Sequence, residues 1–198
     1  MPHSIPPVLR VLLIDADSGR AALLKQALLD GGYRVVAHIE HSTSLLAEVA
    51  HHDPDMIIID TDSPDRDTLE SMRTLHHEQP RPVVMFSADD ERAVVERAIR
   101  AGVSAYIVDG LNGRPVKPAI EVAIARFREY QALREELSKA RSSLEERKVI
   151  ERAKGLLMAR RNIDEEAAYQ ALRKLAMDRG QKLGEVARSV IDVLALIE

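Results

Sequence analysis

The sequence predicts an α/β protein with an N-terminal doubly wound (βα)5 domain, then a long coiled-coil helix and a C-terminal three-helix bundle. Through residues 1–117, short apolar runs alternate with amphipathic stretches, which is typical of a parallel sheet covered by helices on both faces. From Ala119 the pattern is helical, and no Gly or Pro interrupts it before Gly155. Such continuous helical periodicity predicts a helical bundle.

Five nearly continuous apolar runs predict the strands of the sheet. Strands of a parallel sheet are buried on both faces, so they lack the apolar–polar alternation of half-exposed strands. The predicted strands are Val8–Ile14, Tyr33–Ala37, Met56–Ile59, Pro82–Phe86 and Ala105–Val108.

Amphipathic stretches between the strands predict the connecting helices. Gly31 and Gly102 follow two of these stretches, and glycine is favoured where a helix ends. The predicted inward stripes are Leu23, Leu24, Ala27 and Leu28 in the first helix, and Val94, Val95, Ala98 and Ile99 in the fourth.

The long helix carries an apolar seam whose steps of 4, 3 and 4 residues are typical of a coiled coil. A charged helix with one apolar stripe needs a partner for that stripe, so we predict a homodimer. The seam is shorter than three heptads, and a spacer helix packed on its own domain is the alternative. The predicted dimerisation residues are Leu133, Leu137, Ala140 and Leu144.

Three amphipathic patterns predict the terminal bundle. The first continues the long helix and breaks near Asn162. The second begins at Asp164, whose carboxylate can cap a helix, and ends at Gly180. The third carries an apolar series from Leu183 to Leu194 at helical spacing.

The composition excludes several functional classes. The chain has no cysteine, which excludes disulfides and thiol chemistry. No apolar run reaches the length of a membrane span, and the first residues lack the pattern of a signal peptide. No phosphate-cradling loop or nucleophile elbow occurs, and the adjacent histidines at 51–52 and 76–77 would point apart on a helix. We therefore expect a cytoplasmic protein that is not an enzyme and has no membrane partner.

The net charge of −4 falls mainly on the front of the chain. Residues 144–198 carry 11 Lys and Arg against 10 Asp and Glu. Domains that bind nucleic acid are usually more basic, because phosphate contacts supply most of the non-specific affinity. A nucleic-acid surface in residues 144–198 would therefore depend on local clusters of cations.

Polar side chains follow the predicted strands at the edge of the sheet where ligands bind in doubly wound folds. Carboxylates about 4 Å apart repel by about 4 kcal/mol per pair at an effective dielectric of about 20, so either a cation binds among them or one acid keeps its proton. Mg²⁺ is the candidate cation, and no other cofactor is expected. Alternatively, Asp15 and Asp60 serve only as caps and turn residues. The predicted pocket residues are Asp15, Asp17, Asp60, Ser87 and Asp109.

The front of the chain resembles the receiver domain of response regulators. The resemblance covers residues 8–128 and is carried by Pro54-Asp55, Asp60-Thr-Asp-Ser-Pro64 and Gly102-Val-Ser-Ala-Tyr106. It implies that Asp60 stands at the phospho-acceptor position and Ser87 at the position of the family's hydroxyl. It also implies a departure from the family, because Ala16 replaces an acid that contacts Mg²⁺ and Asp109 replaces a lysine.

These departures bear on phosphoryl transfer. Positioned cations assist that reaction, so an acid in place of the lysine reverses the sign of the local charge. We therefore predict a pseudo-receiver with a degenerate pocket, which acts as a surface for protein contact.

The last third of the chain resembles the ANTAR domain, an RNA-binding antitermination module. The resemblance is carried by Ile150-Glu-Arg-Ala-Lys-Gly-Leu-Leu-Met158, Asp164-Glu-Glu-Ala-Ala-Tyr169, Leu172-Arg173 and Lys182-Leu183. It implies that a dimer binds paired hairpins in leader mRNA and prevents a terminator hairpin from forming. The positions that it implies for RNA contact are Arg147, Arg152, Lys154, Gly155, Arg160, Arg161, Tyr169, Arg173 and Lys182.

Each of these residues has an ordinary alternative. Arg160 and Arg161 could be a solvated helix end, Tyr169 a core-edge aromatic and Gly155 a packing contact. On the RNA-binding interpretation, we expect truncation of Lys154 or Arg173 to weaken hairpin binding without changing thermal melting. The predicted organisation is a disordered segment 1–7, a receiver-like domain 8–128, a helical coiled-coil linker 119–150 and an ANTAR domain 144–198.

The chain is also similar to NasT-type regulators of nitrate assimilation, through residues 60–64, 80–86 and 102–108. This resemblance implies a separate nitrate-sensor partner protein that holds the regulator inactive and releases it when nitrate or nitrite appears. RNA polymerase would be affected only indirectly. The alternatives are a DNA-binding response regulator and a phosphorylatable two-component regulator that acts by protein contact.

Overall fold

A computed structural model describes residues 8–40, 44–108 and 116–195. The chain forms two compact units, Met1–Gln131 and Ala132–Glu198, which we call the front unit and the back unit. The expected disorder of residues 1–7 and the predicted pocket residue Asp109 both lie outside the described residues.

The front unit alternates strands and helices in the predicted order. The strands are β1 (Arg10–Asp15), β2 (Arg34–Ile39), β3 (Met56–Thr61), β4 (Val83–Ser87) and β5 (Ala105–Val108). The helices between them are α1 (Ser18–Asp30), α2 (Leu45–His52), α3 (Arg66–Glu78) and α4 (Arg92–Arg100). All strand pairs are parallel, in the order β2-β1-β3-β4-β5, which confirms the doubly wound sheet.

The sheet buries both of its faces, because successive side chains of a strand point to opposite sides. On one face Leu13 of β1 packs in a cluster with Leu24 of α1. On the other face Leu12 packs in a second cluster with Met72 of α3. Burial on both faces explains why the strand sequences are apolar without alternation.

Two residues of the predicted helix stripes lie outside the core. Leu23 of α1 is 71% exposed and Ile99 of α4 is 47% exposed, so their predicted inward positions were wrong. In α1 the buried residues are instead Ala21, Leu24 and Leu28, which step by three and four residues along one helix face.

The next helix, α5 (Val116–Arg161), is continuous. Its first turns pack on the sheet through Ile120 and Ala123, which are fully buried. The leucines of the predicted seam are exposed, at 60% for Leu133, 52% for Leu137 and 59% for Leu144. The seam leucines therefore present apolar surface to solvent, and the homodimer stays a prediction.

The back unit consists of the end of α5 together with α6 (Glu165–Arg179) and α7 (Leu183–Ala195). Asp164 caps α6 by accepting a 2.8 Å hydrogen bond from the backbone of Ala167. Gly180 ends the helix at a φ of 61°, in the left-handed region that favours glycine. The buried core shared by the three helices is Ala153, Leu157, Ala168, Leu172, Ala176, Val186 and Ala187. Within residues 8–40, 44–108 and 116–195, no helix is long and apolar enough to span a bilayer.

Candidate functional site

An acidic pocket lies at the carboxyl ends of β1 and β3. The parallel pairing of these strands places Asp15 opposite Asp60 in register. Asp15 is 1% exposed and Asp60 is 8% exposed, so two carboxylates are withdrawn from water side by side. The structure thus brings together the two acids that the sequence placed at this edge.

Arg20 of α1 supplies a cation to the pocket, and sequence reasoning missed it. Its Nη2 donates to Asp15 Oδ1 at 3.2 Å, and its Nη1 donates to Asp62 Oδ1 at 2.5 Å. Its Nε lies 3.9 Å from Asp60 Oδ1. Arg20 follows Asp15 by five residues in the sequence, but an arginine on a helix is usually solvated, so residue type alone did not indicate this contact.

Asp60 has an unusual protonation equilibrium. Burial, with the charge of Asp15 as the next cause, raises its pKa from 3.8 to about 6. The guanidinium of Arg20 opposes this rise. Of the two outcomes foreseen for crowded acids, the structure shows a cation in the pocket, and the raised pKa of Asp60 makes a retained proton more favourable only in mildly acidic solution.

Asp17 is a helix cap. Its Oδ1 accepts hydrogen bonds from the backbone of Gly19 at 2.8 Å and of Arg20 at 2.9 Å, at the start of α1. These bonds to Arg20 and Gly19 lower its pKa, because they favour the charged carboxylate. The capping alternative was stated for Asp15 and Asp60, whereas the helix cap in the structure is Asp17, and Asp15 Oδ1 accepts from the backbone N–H of Asp17 at 2.8 Å. The cap fixes the turn from which Arg20 projects.

Ser87 ends β4 and binds the loop after β3. Its Oγ donates to the carbonyl of Asp62 at 3.0 Å and accepts from the backbone N–H of Asp89 at 3.1 Å. The Tyr106 hydroxyl donates to the carbonyl of Asp89 at 2.8 Å. A hydrogen-bonded path therefore runs from the β3–α3 loop through Ser87 to β5.

The residues present do not suit Mg²⁺, which the receiver resemblance implies. Mg²⁺ requires several oxygen ligands in near-octahedral geometry and keeps several waters. Here Ala16 offers no carboxylate, and the Arg20 guanidinium already lies among Asp15, Asp60 and Asp62. The described residues contain no group of three or more His, Cys, Asp or Glu that could hold a metal ion.

We expect Asp60→Asn to stabilise the protein at neutral pH and to lose this effect in acid. A carboxyl whose pKa is about 6 when folded and 3.8 when unfolded binds its proton more tightly in the folded state. Stability therefore falls as pH rises through this window, and the neutral amide avoids a loss of about 3 kcal/mol above it. Thermal melting should be measured from pH 4 to 8. The melting temperature of Asp60→Asn should exceed that of wild type by an amount that grows up to about pH 7 and is constant above it.

The control for this prediction is Asp192→Asn, which removes an exposed carboxylate from α7. A gap that widens equally in both variants would show that net charge, and not the buried site, is responsible.

The back unit exposes most of the basic residues predicted to contact RNA. Arg161 lines a groove together with Lys174 and Asp178. Arg160 is engaged within the unit, since its Nη2 donates to the carbonyl of Leu194 at 3.3 Å. Tyr169 is 36% exposed, at the edge of α6. The exposed predicted cations are Arg147, Arg152, Arg160, Arg161, Arg173 and Lys182.

Lys154 departs from the prediction. Its side chain is 9% exposed, and its Nζ donates to Glu151 at 2.8 Å and to Glu165 at 2.7 Å. Hydrogen bonds to Glu151 and Glu165 raise its pKa. We therefore correct the expectation that its truncation leaves thermal melting unchanged, because Lys154 joins α5 to the first turn of α6.

Gly155 is not a packing contact. It is exposed within α5, and, apart from its chain neighbours and the adjacent helix backbone, a Cβ added there would meet no atom of the described residues within 4 Å. Glycine inside a helix is less favourable than alanine by about 1 kcal/mol. The packing of this chain thus gives no reason for a glycine at this position.

The histidine pairs are partly packed. The ring of His76 lies 5.4 Å from that of Tyr130, centroid to centroid. His52 lies 3.4 Å from Glu48 one turn earlier in α2. Each histidine pair therefore has one member in contact with a neighbouring side chain of the front unit.

The two units match different families. Residues 11–117 match the response regulator receiver domain, and residues 138–191 match the ANTAR domain. Among solved structures, the receiver domain of the response regulator NarL from Mycobacterium tuberculosis superposes with a TM-score of 0.52 at 26% identity, covering 60% of this chain and 98% of that one. A CheY-like receiver domain protein from Methanospirillum hungatei JF-1 superposes with a TM-score of 0.53 at 23% identity, covering 62% of this chain and 98% of that one. This likeness supports the fold alone.

Two relatives extend the comparison. The transcriptional regulatory protein PdtaR of Mycobacterium tuberculosis strain H37Rv is 34% identical over 185 residues, which is 93% of this chain and 90% of that protein. A nitrate regulatory protein of Klebsiella oxytoca is 41% identical over 88 residues, which is 44% of this chain and 22% of that protein. The matched families are regulatory, and the chain belongs to the response regulators that combine a receiver domain with an ANTAR domain.

Proposed function

We propose that this protein is a transcription antiterminator whose back unit binds hairpins in leader mRNA and prevents a terminator from forming. The observation that carries the proposal is the match of residues 138–191 to the ANTAR domain, on a unit whose outer side chains include most of the predicted cations. The front unit serves as a protein-contact surface that controls when the back unit is available.

An aromatic ring and a cation on α6 support RNA recognition. Tyr169 and Arg173 are separated by one helical turn and are both exposed, so they share one face of the helix. Single-stranded RNA loops present unstacked bases that stack on tyrosine, while arginine holds the phosphate backbone or stacks in turn. Contact by this pair does not require a strongly basic domain.

Gly155 supports a close approach of RNA to α5. Arg152 lies three residues before it, and both are exposed, so they lie on one side of the helix. Without a side chain at Gly155, a ligand can reach the helix backbone beside the guanidinium of Arg152. The unfavourable helical glycine then has a functional reason, since the packing supplies none.

The exposed seam of α5 supports a homodimer. Leu133, Leu137 and Leu144 present apolar surface with coiled-coil spacing and lie open to a partner. A second copy has the complementary stripe by symmetry, which is the usual arrangement in homodimers. A dimer would present two back units to a pair of hairpins.

The regulated genes are those of nitrate or nitrite assimilation in this proposal, and the controlling partner is a nitrate-sensor protein. The support is the likeness to the nitrate regulatory protein of Klebsiella oxytoca, although the two chains share only 88 aligned residues. A partner that binds the silent state better than the RNA-competent state suffices for control, and phosphorylation of the front unit is not needed. Sequencing of transcripts that co-purify with the protein identifies the target RNAs.

We expect Arg173→Ala to weaken binding of leader hairpins by about tenfold or more, because stacking or phosphate contacts by such residues contribute about 1–3 kcal/mol. Gel-shift titration with a hairpin recovered from the co-purified transcripts measures the effect, and thermal melting should be unchanged because Arg173 is exposed.

The matched control is Arg73→Ala, which removes an exposed arginine from α3 of the front unit. Equal affinity of the two variants and wild type would contradict the assignment of Arg173. A preference of the protein for duplex DNA over hairpin RNA would contradict the proposed function itself.

A further inference from the structure

Arg20 occupies the acidic pocket as a fixed part of the fold. Asp17 caps the first turn of α1 and sets the direction of that turn, and Arg20 projects from it toward the ends of β1 and β3. Three carboxylates from two segments surround the guanidinium, namely Asp15 at the end of β1 and Asp60 and Asp62 at the end of β3.

The pocket needs a positive charge for an electrostatic reason. The pairing of β1 with β3 forces Asp15 and Asp60 together, and both are buried. Taking unpaired carboxylates out of water costs several kcal/mol per group unless a cation or a proton compensates them. Asp15 Oδ2 and Arg20 Nε are both buried without a hydrogen-bond partner among the described residues, so ion pairing and not complete hydrogen bonding compensates the acids.

Arg20 remains charged at any working pH. Its hydrogen bond to Asp62, followed by that to Asp15, raises its pKa above the already high value of arginine. A guanidinium delocalises its charge and offers several N–H donors in a plane, which lets one side chain reach several carboxylates. A metal ion from solution would have to displace a cation that cannot be neutralised.

We propose that Arg20 is the built-in counter-cation of the acidic pocket, which supplies there the positive charge that a divalent ion supplies in receiver domains and excludes such an ion. The pocket therefore keeps its arrangement without Mg²⁺ and without phosphorylation. This inference concerns the front unit alone and does not depend on RNA binding by the back unit.

The bonds of Arg20 extend its influence beyond the pocket. Arg20 holds the side chain of Asp62, and the carbonyl of Asp62 accepts from Ser87. Ser87 in turn accepts from the backbone of Asp89, whose carbonyl holds the hydroxyl of Tyr106. Ser63 reinforces this path, since its Oγ donates to Asp89 Oδ2 at 2.6 Å. Arg20 thus acts as a positioning residue for the loop after β3 and, through it, for Tyr106 on β5.

The test measures binding of Mn²⁺, a paramagnetic substitute for Mg²⁺, to the full-length protein by electron paramagnetic resonance. We expect no pocket binding by wild type at millimolar Mn²⁺. Arg20→Met removes the charge at similar side-chain length and should bind Mn²⁺ at least about tenfold more tightly than wild type. Lys25→Met removes an exposed cation from the same helix and should behave as wild type. Arg20→Lys keeps the charge and should also exclude the ion.

The proposal is overturned if wild type binds Mn²⁺ as tightly as Arg20→Met, or if Arg20→Lys binds it as tightly as Arg20→Met. If Arg20→Met does not fold alone, circular dichroism with added Mg²⁺ decides the matter. Refolding by Mg²⁺ but not by an equal ionic strength of NaCl supports the substitution of one cation for the other, and failure to refold contradicts it.

A second readout is the amide signal of Tyr106 in NMR spectra, which should shift in Arg20→Met and stay in place in Lys25→Met.

Discussion

Replacement of Gly102 by alanine should destabilise the front unit by about 2–4 kcal/mol, because two unfavourable effects coincide. The backbone of Gly102 has a φ of 103°, in a region that side-chain-bearing residues rarely adopt. A Cβ at this position would also lie 2.6 Å from Cγ and 2.7 Å from Cβ of His76. His76 packs beside Tyr130 of α5, so its ring is not free to move away without disturbing that contact.

Gly32→Ala separates the two effects. Gly32 has a φ of 84°, but an added Cβ there would meet no atom of the described residues within 4 Å. We expect this variant to lose about 1 kcal/mol from the backbone conformation alone. Urea denaturation measures both variants, and the difference between them reports the contact with His76.

In a His76→Gly background, which removes both the ring and the Cβ that an added side chain would meet, Gly102→Ala should cost no more than Gly32→Ala does in wild type. Equal losses for the two glycine variants in wild type would show that the His76 contact carries no energy, and the explanation from close packing would then fail.

The fold of the front unit could be predicted because its signals are local and agree with one another. Met56–Ile59 is a continuous apolar run followed by Asp60, and its lack of apolar–polar alternation identifies a strand buried on both faces. The acids that follow β1 and β3 could be placed together because parallel strands end at the same edge. Gly102 and Gly180 could be recognised as helix ends because glycine tolerates the positive φ that often ends a helix. Both residues have positive φ in the structure.

The orientation of individual side chains could not be predicted from the same signals. Leu23 and Ile99 are apolar and fit a helical period, yet both point to solvent. A short helix admits two neighbouring apolar stripes, and tertiary packing alone decides which one faces the sheet. Apolar character is therefore a weaker predictor of burial than the position of a residue relative to the sheet.

The roles of two cations depended on tertiary contacts in the same way. Lysine and arginine on a helix are usually solvated, so neither Lys154 nor Arg20 indicated a buried contact by residue type. Lys154 meets Glu165 across a helix boundary, and Arg20 meets Asp62 at a separation of 42 residues. Repulsion among the acids predicted either a bound cation or a retained proton in the pocket, but it could not indicate that the chain itself supplies the cation.

Leu172→Ala should destabilise the back unit by about 2–5 kcal/mol and abolish hairpin binding, while the front unit stays folded. Leu172 is 1% exposed and lies in the core where α5, α6 and α7 meet. A unit as small as Ala132–Glu198 buries too little apolar surface to absorb such a loss, since small domains have only a few kcal/mol of net stability. The surface residues proposed to hold RNA would then lose the helices that position them.

Hydrogen exchange of the full-length protein distinguishes this local effect from global unfolding. Protection should fall in α6 and α7 and persist in β1 and β3, whose contacts Leu172 does not share. Leu172→Met is the matched control, because it conserves volume and should lose less than about 1.5 kcal/mol. It should therefore bind hairpins nearly as wild type does. Leu172→Ala could lose hydrogen-exchange protection in the back unit and still bind hairpins with wild-type affinity. That result would contradict the requirement for a folded three-helix core, because RNA would then be held by cations that need no fixed arrangement.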